Sequence, residues 1–381
     1  MVVRKDVMKG KTYTELFKDQ NGPVLITTPQ NIFYTIGFYT TARRPAQIGY
    51  NCVLMTPEDT WFFYPAGWQP LVLEQIDTHT IHSFPYQGKL EQLAEQIVGQ
   101  LEGERQLGFE RDGMELNLYL ALQERLKRTR GPVVWFDVSS CLQKARLIKT
   151  PGEIEALRKS ALVARAAMEY AKTVICPGMR ELDVVAELEF FMRKNGSEGV
   201  PFTMKALSGE NAIRTVNIPG NDRIREGDIV LLDFGATVEN YASDWSRSFS
   251  VGKVDERQQE LYRLVWQIER SCIEMIRPGV ALQELLDQAM SVIQGHPYAR
   301  WFNPYLGHSI GINSQEWPAI VPGAEEVIKE NMVITIEPGI YVPGLGGVRI
   351  EDEIWVTASG HEILTGLQNE EFLISGGKNG E

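Results

Sequence analysis

The chain has 381 residues, which at roughly 150 residues per domain leaves room for two domains with cores large enough to need no disulfide staples. Its 38 Lys+Arg against 50 Asp+Glu give a formal charge of −12, which argues against a nucleic-acid-binding face, and 43% hydrophobic with 23% charged residues is the balance of a soluble globule. Four scattered cysteines, Cys52, Cys141, Cys176 and Cys272, show neither metal-type nor disulfide-type spacing and read as buried, inert thiols in a reducing compartment.

At the N-terminus, Lys5, Asp6, Lys9 and Lys11 interrupt any apolar stretch, so no signal peptide is expected and the chain is assigned to the cytoplasm. No apolar run approaches the ~18 residues of a membrane span. Between 20 and 145, short β-branched or aromatic runs at 24–27, 52–55, 61–64, 106–110 and 133–138 accompany helical patterns at 89–101 and 116–129. That alternation predicts a small α/β domain. Thr150, Pro151 and Glu153 then supply a capping box with Pro at the first helical position, so a second domain is expected to begin there, dividing the chain into 1–147 and 148–381.

Behind the cap, Ile154, Leu157, Ala161, Ala164, Met168 and Ala171 recur at spacings of 3 and 4, the apolar stripe of a long helix. Pro177 and Gly178 end it, and a second helix over 181–194 closes at Asn195 and Gly196. The same grammar returns in the second half: a helix over 255–275, Pro278 and Gly279, then a helix through Leu282, Leu285, Leu286 and Ala289 closing at Gly295. The strands strengthen the parallel. Apolar runs at 229–232 and 333–336 lead into Asp233 and Glu337, each followed two residues later by a glycine, and each is succeeded by a further acid, Asp244 or Glu351. An internal repeat would place these four carboxylates symmetrically about a pseudo-twofold axis.

Taken singly, each acid is well explained as an exposed turn carboxylate. Four in symmetric places at the ends of apolar strands are another matter, because clustered like charges require a divalent cation, or two, to neutralise them. Oxygen donors with one imidazole suit Mn, Fe, Co or Zn better than a thiolate-seeking metal. His308, within Gly307-His308-Ser309-Ile310-Gly311, is the expected nitrogen ligand, since flanking glycines allow close approach. His79 and His82 read as structural, and His296 and His361 stand beside turns with no constellation around them.

The motifs Asp233-Phe234-Gly235, Tyr241-Ala242-Ser243-Asp244, Gly307-His308-Ser309-Ile310-Gly311, Glu337-Pro338-Gly339-Ile340-Tyr341 and Val348-Arg349-Ile350-Glu351-Asp352 resemble those of the pita-bread metallohydrolases, the family of prolidase, aminopeptidase P, methionine aminopeptidase and creatinase. The resemblance implies an α/β N-terminal creatinase-like domain and an α+β pita-bread C-terminal domain with an internal pseudo-twofold repeat. It also implies two divalent ions per chain, with Asp233, Asp244, His308, Glu337 and Glu351 as ligands and Asp244 and Glu351 bridging, and a homodimeric assembly. Glu337 can relay a proton as well as ligate. Arg349 either holds the ligand carboxylates or binds a substrate carboxylate.

The chain departs from the peptidase pattern where Val216, Pro304 and Gln315 stand in place of histidines, with Val216 and Gln315 read as part of the pocket wall and Gln315 as a hydrogen-bond donor to substrate. Three functions follow from this reading. The first is a hydrolase of the Xaa-Pro dipeptidase or aminopeptidase P type, acting on a dipeptide. The second is a hydrolase or lyase acting on a small amide or zwitterion, and the third is a binding protein that has lost the chemistry. Five intact ligands argue against the third.

Overall fold

The computed structural model describes residues 10–40, 49–101, 103–253, 255–366 and 372–375; Lys5, Asp6 and Lys9, read above as arguing against a signal peptide, lie outside the described residues. The chain forms two compact units, Met1–Arg146 and Leu147–Glu381. Among the described residues no helix is long and apolar enough to cross a membrane.

In the first unit β1 (Val24–Ile26), β2 (Cys52–Met55), β3 (Thr60–Pro65), β4 (His82–Tyr86), β5 (Gln106–Phe109) and β6 (Val134–Asp137) form one sheet in the order β4-β3-β2-β1-β5-β6. The helices Leu90–Gly99 and Leu116–Thr129 lay Leu93, Ile97, Leu118, Leu122 and Leu126 against it. Two short helices, Pro29–Ile36 and Ser139–Leu147, were not anticipated, because two or three turns are too few for an apolar stripe to stand out from the flanking loops. The reading of four buried thiols is half corrected: Cys52 and Cys272 are buried, whereas Cys141 and Cys176 are partly exposed, and all four are free. Burial pushes the Cys272 thiol up to about 12.

The second unit opens on the helix Pro151–Val174, where Thr150 Oγ1 accepts from the Glu153 amide and the Glu153 carboxylate accepts from the Thr150 amide. This helix and Glu181–Lys194 pack Ala164, Met168, Val184 and Leu188 against Val230, Leu232 and Phe234 of β8 (Ile229–Phe234). The helices Glu256–Ile273 and Leu282–Ile293 bring Val265, Ile268, Leu285 and Ala289 into the core that holds Ile334 and Ile336. β7 (Lys205–Ser208) precedes β8; the short pair β9 (Thr237–Val238) and β10 (Tyr241–Ala242) leads to β11 (Trp245–Val251). The second half follows with β12 (Phe302–Asn303), β13 (Gly307–Ser309), β14 (Glu316–Ile320), β15 (Val333–Ile336), β16 (Gly339–Val342), β17 (Gly346–Arg349), β18 (Asp352–Val356), β19 (His361–Ile363) and β20 (Leu373–Ser375). The main sheets run β20-β11-β8-β7 and β14-β13-β15-β18-β19, with β12-β16-β17 as a third.

The repeat is written in the hydrogen bonds. Gly178 and Gly279, with φ of 92° and 97°, adopt the left-handed conformation after the first helix of each pair, and their amides donate to Ile224 and Ile328 carbonyls at 2.8 and 2.9 Å. The Ile224 and Ile328 amides in turn donate to the Met179 and Val280 carbonyls. Each half is then a strand, a small hairpin and a returning antiparallel strand: β8, β9–β10 and β11 in the first, β15, β16–β17 and β18 in the second. Alternation along β8 sends Val230, Leu232 and Phe234 to the helices and therefore Asp233 to the opposite face.

Because Leu285 is fully buried in the second core, Leu285→Ala should destabilise this unit by about 2–5 kcal/mol, whereas truncating the 42% exposed Leu182 should shift it by no more than about 0.5 kcal/mol. Denaturant melts followed by far-ultraviolet dichroism would measure both, and equal losses would mean that the core assignment is wrong.

Candidate metal centre

Each acid stands where a strand meets a hairpin. Asp233 is the penultimate residue of β8 and Asp244 directly precedes β11; Glu337 directly follows β15 and Glu351 directly precedes β18. The glycines two residues after Asp233 and Glu337 are required by space. A Cβ on Gly235 would lie 1.7 Å from the Ser243 carbonyl oxygen, and one on Gly339 would lie 2.3 Å from the Tyr341 hydroxyl. The first keeps β8 close to the segment carrying Asp244, and the second leaves room for the ring that meets Arg349.

His308 is 1% exposed, and its Nδ1 lies 3.0 Å from the Ser309 carbonyl oxygen. A carbonyl only accepts, so Nδ1 carries the proton and the Nε2 lone pair is left for another partner. That atom stands 3.2 Å from Glu337 Oε1 and 3.6 Å from Asp244 Oδ2. His308 Nε2, Glu337 Oε1 and Glu351 Oε1 are all buried without a hydrogen-bond partner. One ligand atom each from Asp244, His308 and Glu351 falls within 4.8 Å of the others. Orphaned donors of this kind, converging in a dry space, fit a metal ion.

The supporting groups are equally specific. Ser246, register partner of Asp233, donates from Oγ to Glu351 Oε2 at 2.7 Å and accepts from Arg349 Nε at 3.0 Å. Arg349 also donates to the Tyr341 hydroxyl at 2.9 Å and to Asp233 Oδ2. It is therefore occupied in holding the acids. Beneath them, the fully buried Arg247 pairs with Asp352 at 2.8 Å and donates to the Glu351 carbonyl, while the Asp244 amide donates to Glu353 Oε1 at 2.8 Å. The part played by Asp352 and Glu353 could have been suspected only from three consecutive acids at the head of an otherwise apolar strand.

The loop positions come out differently. Val216 is 91% exposed, because the Asn217 amide closes a turn on the Arg214 carbonyl at 2.8 Å and carries Val216 at its tip. The reading of Val216 as pocket wall is thereby corrected. Pro304 and Gln315 are also exposed. Among the described residues Gln315 makes no hydrogen bond, and His308 is the one imidazole in the cluster.

Matched hairpins that deliver acids from both halves of a repeat define the pita-bread metallohydrolases, and this fold is of that class. Family comparison narrows the assignment. The model for metallopeptidase family M24 matches residues 155–358, and that for the creatinase/prolidase N-terminal domain matches residues 18–148. The chain belongs to metallopeptidase family M24, whose members are metal-dependent hydrolases. It is 32% identical over 368 residues to a Xaa-Pro dipeptidase of Pyrococcus horikoshii, covering 96% of this chain and 99% of that protein. The crystal structure of the prolidase from Pyrococcus horikoshii superposes with a TM-score of 0.84 at 31% identity, covering 93% of this chain and 96% of that one. A Xaa-Pro dipeptidase structure from Bacillus anthracis gives 0.84 at 30% identity over 95% and 97%.

Burial, then the neighbouring Glu337 and Asp233, push Glu351 up to about 8. Burial pulls His308 down, but Glu337 and Glu351 outweigh it and hold the imidazole above its ordinary value. The metal-free folded state therefore keeps protons that the unfolded chain has released, and it loses stability as pH rises from about 5 to about 8. Its melting temperature should fall over that interval, and saturating Mn²⁺ should remove most of the fall by taking the place of the protons. A melting temperature that does not fall over the interval would show the carboxylates to be already ionised.

Proposed function

We propose that the chain hydrolyses Xaa-Pro dipeptides with the help of a divalent ion held by Asp244, His308 and Glu351, with Glu337 beside them. The observation that carries this reading is the set of buried atoms without a hydrogen-bond partner, His308 Nε2, Glu337 Oε1 and Glu351 Oε1, the first two 3.2 Å apart. The substrate class is supported by the Xaa-Pro dipeptidases to which nearly the whole chain is similar. Imidazole and carboxylate donors without thiolate suit Mn, Co, Zn or Fe. When bound, such an ion polarises a carbonyl and lowers the pKa of a water.

The side chains have separable tasks. Glu337, 13% exposed and against His308, is placed to accept a proton and return it to the leaving amine. Arg349 and Ser246 are positioning residues that fix Asp233 and Glu351. The unpaired cysteines suit a cytoplasmic location, and a homodimer is the assembly the family resemblance implies. A second reading, hydrolysis or elimination of a small amide or zwitterion, is favoured by one observation: Val216, Pro304 and Gln315 bring no imidazole to assist a poor leaving group.

Steady-state assays with Mn²⁺, Co²⁺ and Zn²⁺ should detect Xaa-Pro hydrolysis with kcat below ~10 s⁻¹, abolished by chelator and by Asp244→Ala. No turnover, together with a metal-dependent thermal shift produced only by cyclic amides or betaines, would transfer the assignment to the second reading. Ser246→Ala, which frees Glu351 Oε2, should weaken Mn²⁺ binding by about 10–100-fold in calorimetric titration. Unchanged affinity would remove Ser246 from the positioning network.

A further inference from the structure

One cation at the site has no part in the reading above. Lys205 lies on β7 opposite Asp233 on β8, in a register that puts both side chains on the same face of the sheet. Its Nζ stands 2.7 Å from Asp233 Oδ2, the same oxygen that accepts from Arg349. The lysine is 25% exposed and the aspartate 6%, so the ammonium enters the cluster from its open side. A carboxylate oxygen offers two lone-pair directions, and on Oδ2 an ammonium and a guanidinium take both. The contrast with His308 Nε2, Glu337 Oε1 and Glu351 Oε1, which have no hydrogen-bond partner, is direct. Asp233, like Glu337, is absent from the set of ligand atoms that lie within 4.8 Å of one another.

Charge points the same way. One divalent ion, Arg349 and Lys205 together balance Asp233, Asp244, Glu337 and Glu351 charge for charge, with His308 binding as the neutral imidazole. A second divalent ion beside Asp233 would leave positive charge uncompensated in a nearly dry space, next to an ammonium already 2.7 Å from Asp233 Oδ2.

We propose that Lys205 is the second cation of this site: the chain holds a single divalent ion at Asp244, His308 and Glu351, and the Lys205 ammonium stands at Asp233 where a paired centre would hold its other ion. This rests on the proposed metal site and replaces the expectation of two ions per chain. Mn²⁺ is the probe, with ions counted by elemental analysis after gel filtration and their environment read by electron paramagnetic resonance. Wild type should carry one ion per chain with the six-line spectrum of isolated Mn²⁺, and Lys205→Arg should do the same. Lys205→Met and Lys205→Gln should each carry two, with a spin-coupled spectrum. Using both variants guards against misfolding of either, which thermal melts would reveal. Two coupled ions in wild type, or one ion in folded Lys205→Met and Lys205→Gln, would overturn the role of Lys205 while leaving the metal site standing. Absence of any bound ion in wild type would overturn the metal site itself.

Discussion

Bringing Asp233, Asp244, Glu337 and Glu351 into one nearly dry space is the most costly feature of the second unit, since like charges repel strongly once water is withdrawn. The surroundings of the site answer that cost. Arg349 and Lys205 meet Asp233, the Ser246 hydroxyl meets Glu351, and the His308 imidazole faces Asp244 and Glu337. One layer further in, Arg247 is matched by Asp352, which also accepts from the Trp245 indole at 3.1 Å and from the Thr365 hydroxyl at 2.5 Å. The polar interior is thus stratified. The Arg247–Asp352 pair lies beneath, and His308 Nε2, Glu337 Oε1 and Glu351 Oε1, which have no hydrogen-bond partner, lie above it.

The internal repeat makes this arrangement possible with simple parts. A strand that ends in an acid, a small hairpin and a returning strand preceded by a second acid occur twice, so each half brings two carboxylates by the same route. The halves are joined at the site itself: the Glu351 amide donates to the Ser246 carbonyl at 3.1 Å, and the Asp244 amide reaches Glu353. Helix pairs on either side supply the apolar burial that holds both hairpins in place.

Much of this was legible in the sequence because it rests on local rules. Thr150, Pro151 and Glu153 announce a helix start whatever lies around them, and Pro-Gly after a long apolar stripe announces its end. The four acids were recognisable because apolar strands cannot easily carry carboxylates, and His308 because glycines flank it. Lys205 was not legible: it lies in a four-residue strand too short to show alternation, and its partner is set by register rather than by spacing. Val216 was misplaced for the complementary reason. Alignment to a motif assigned it a role, but the turn from Arg214 to Asn217 decided where it points.

The joined halves have a consequence for how the domain holds together. An ion held by both Asp244 and Glu351, as proposed, would tie points roughly a hundred residues apart along the chain, and closing a loop of that length removes about 4.7 kcal/mol of disorder from the unfolded ensemble in the chain-entropy description of cross-links. The centre would then serve as a removable staple in a protein whose cysteines are all unpaired. Loss of the ion would loosen the seam between the halves before it disturbed either core.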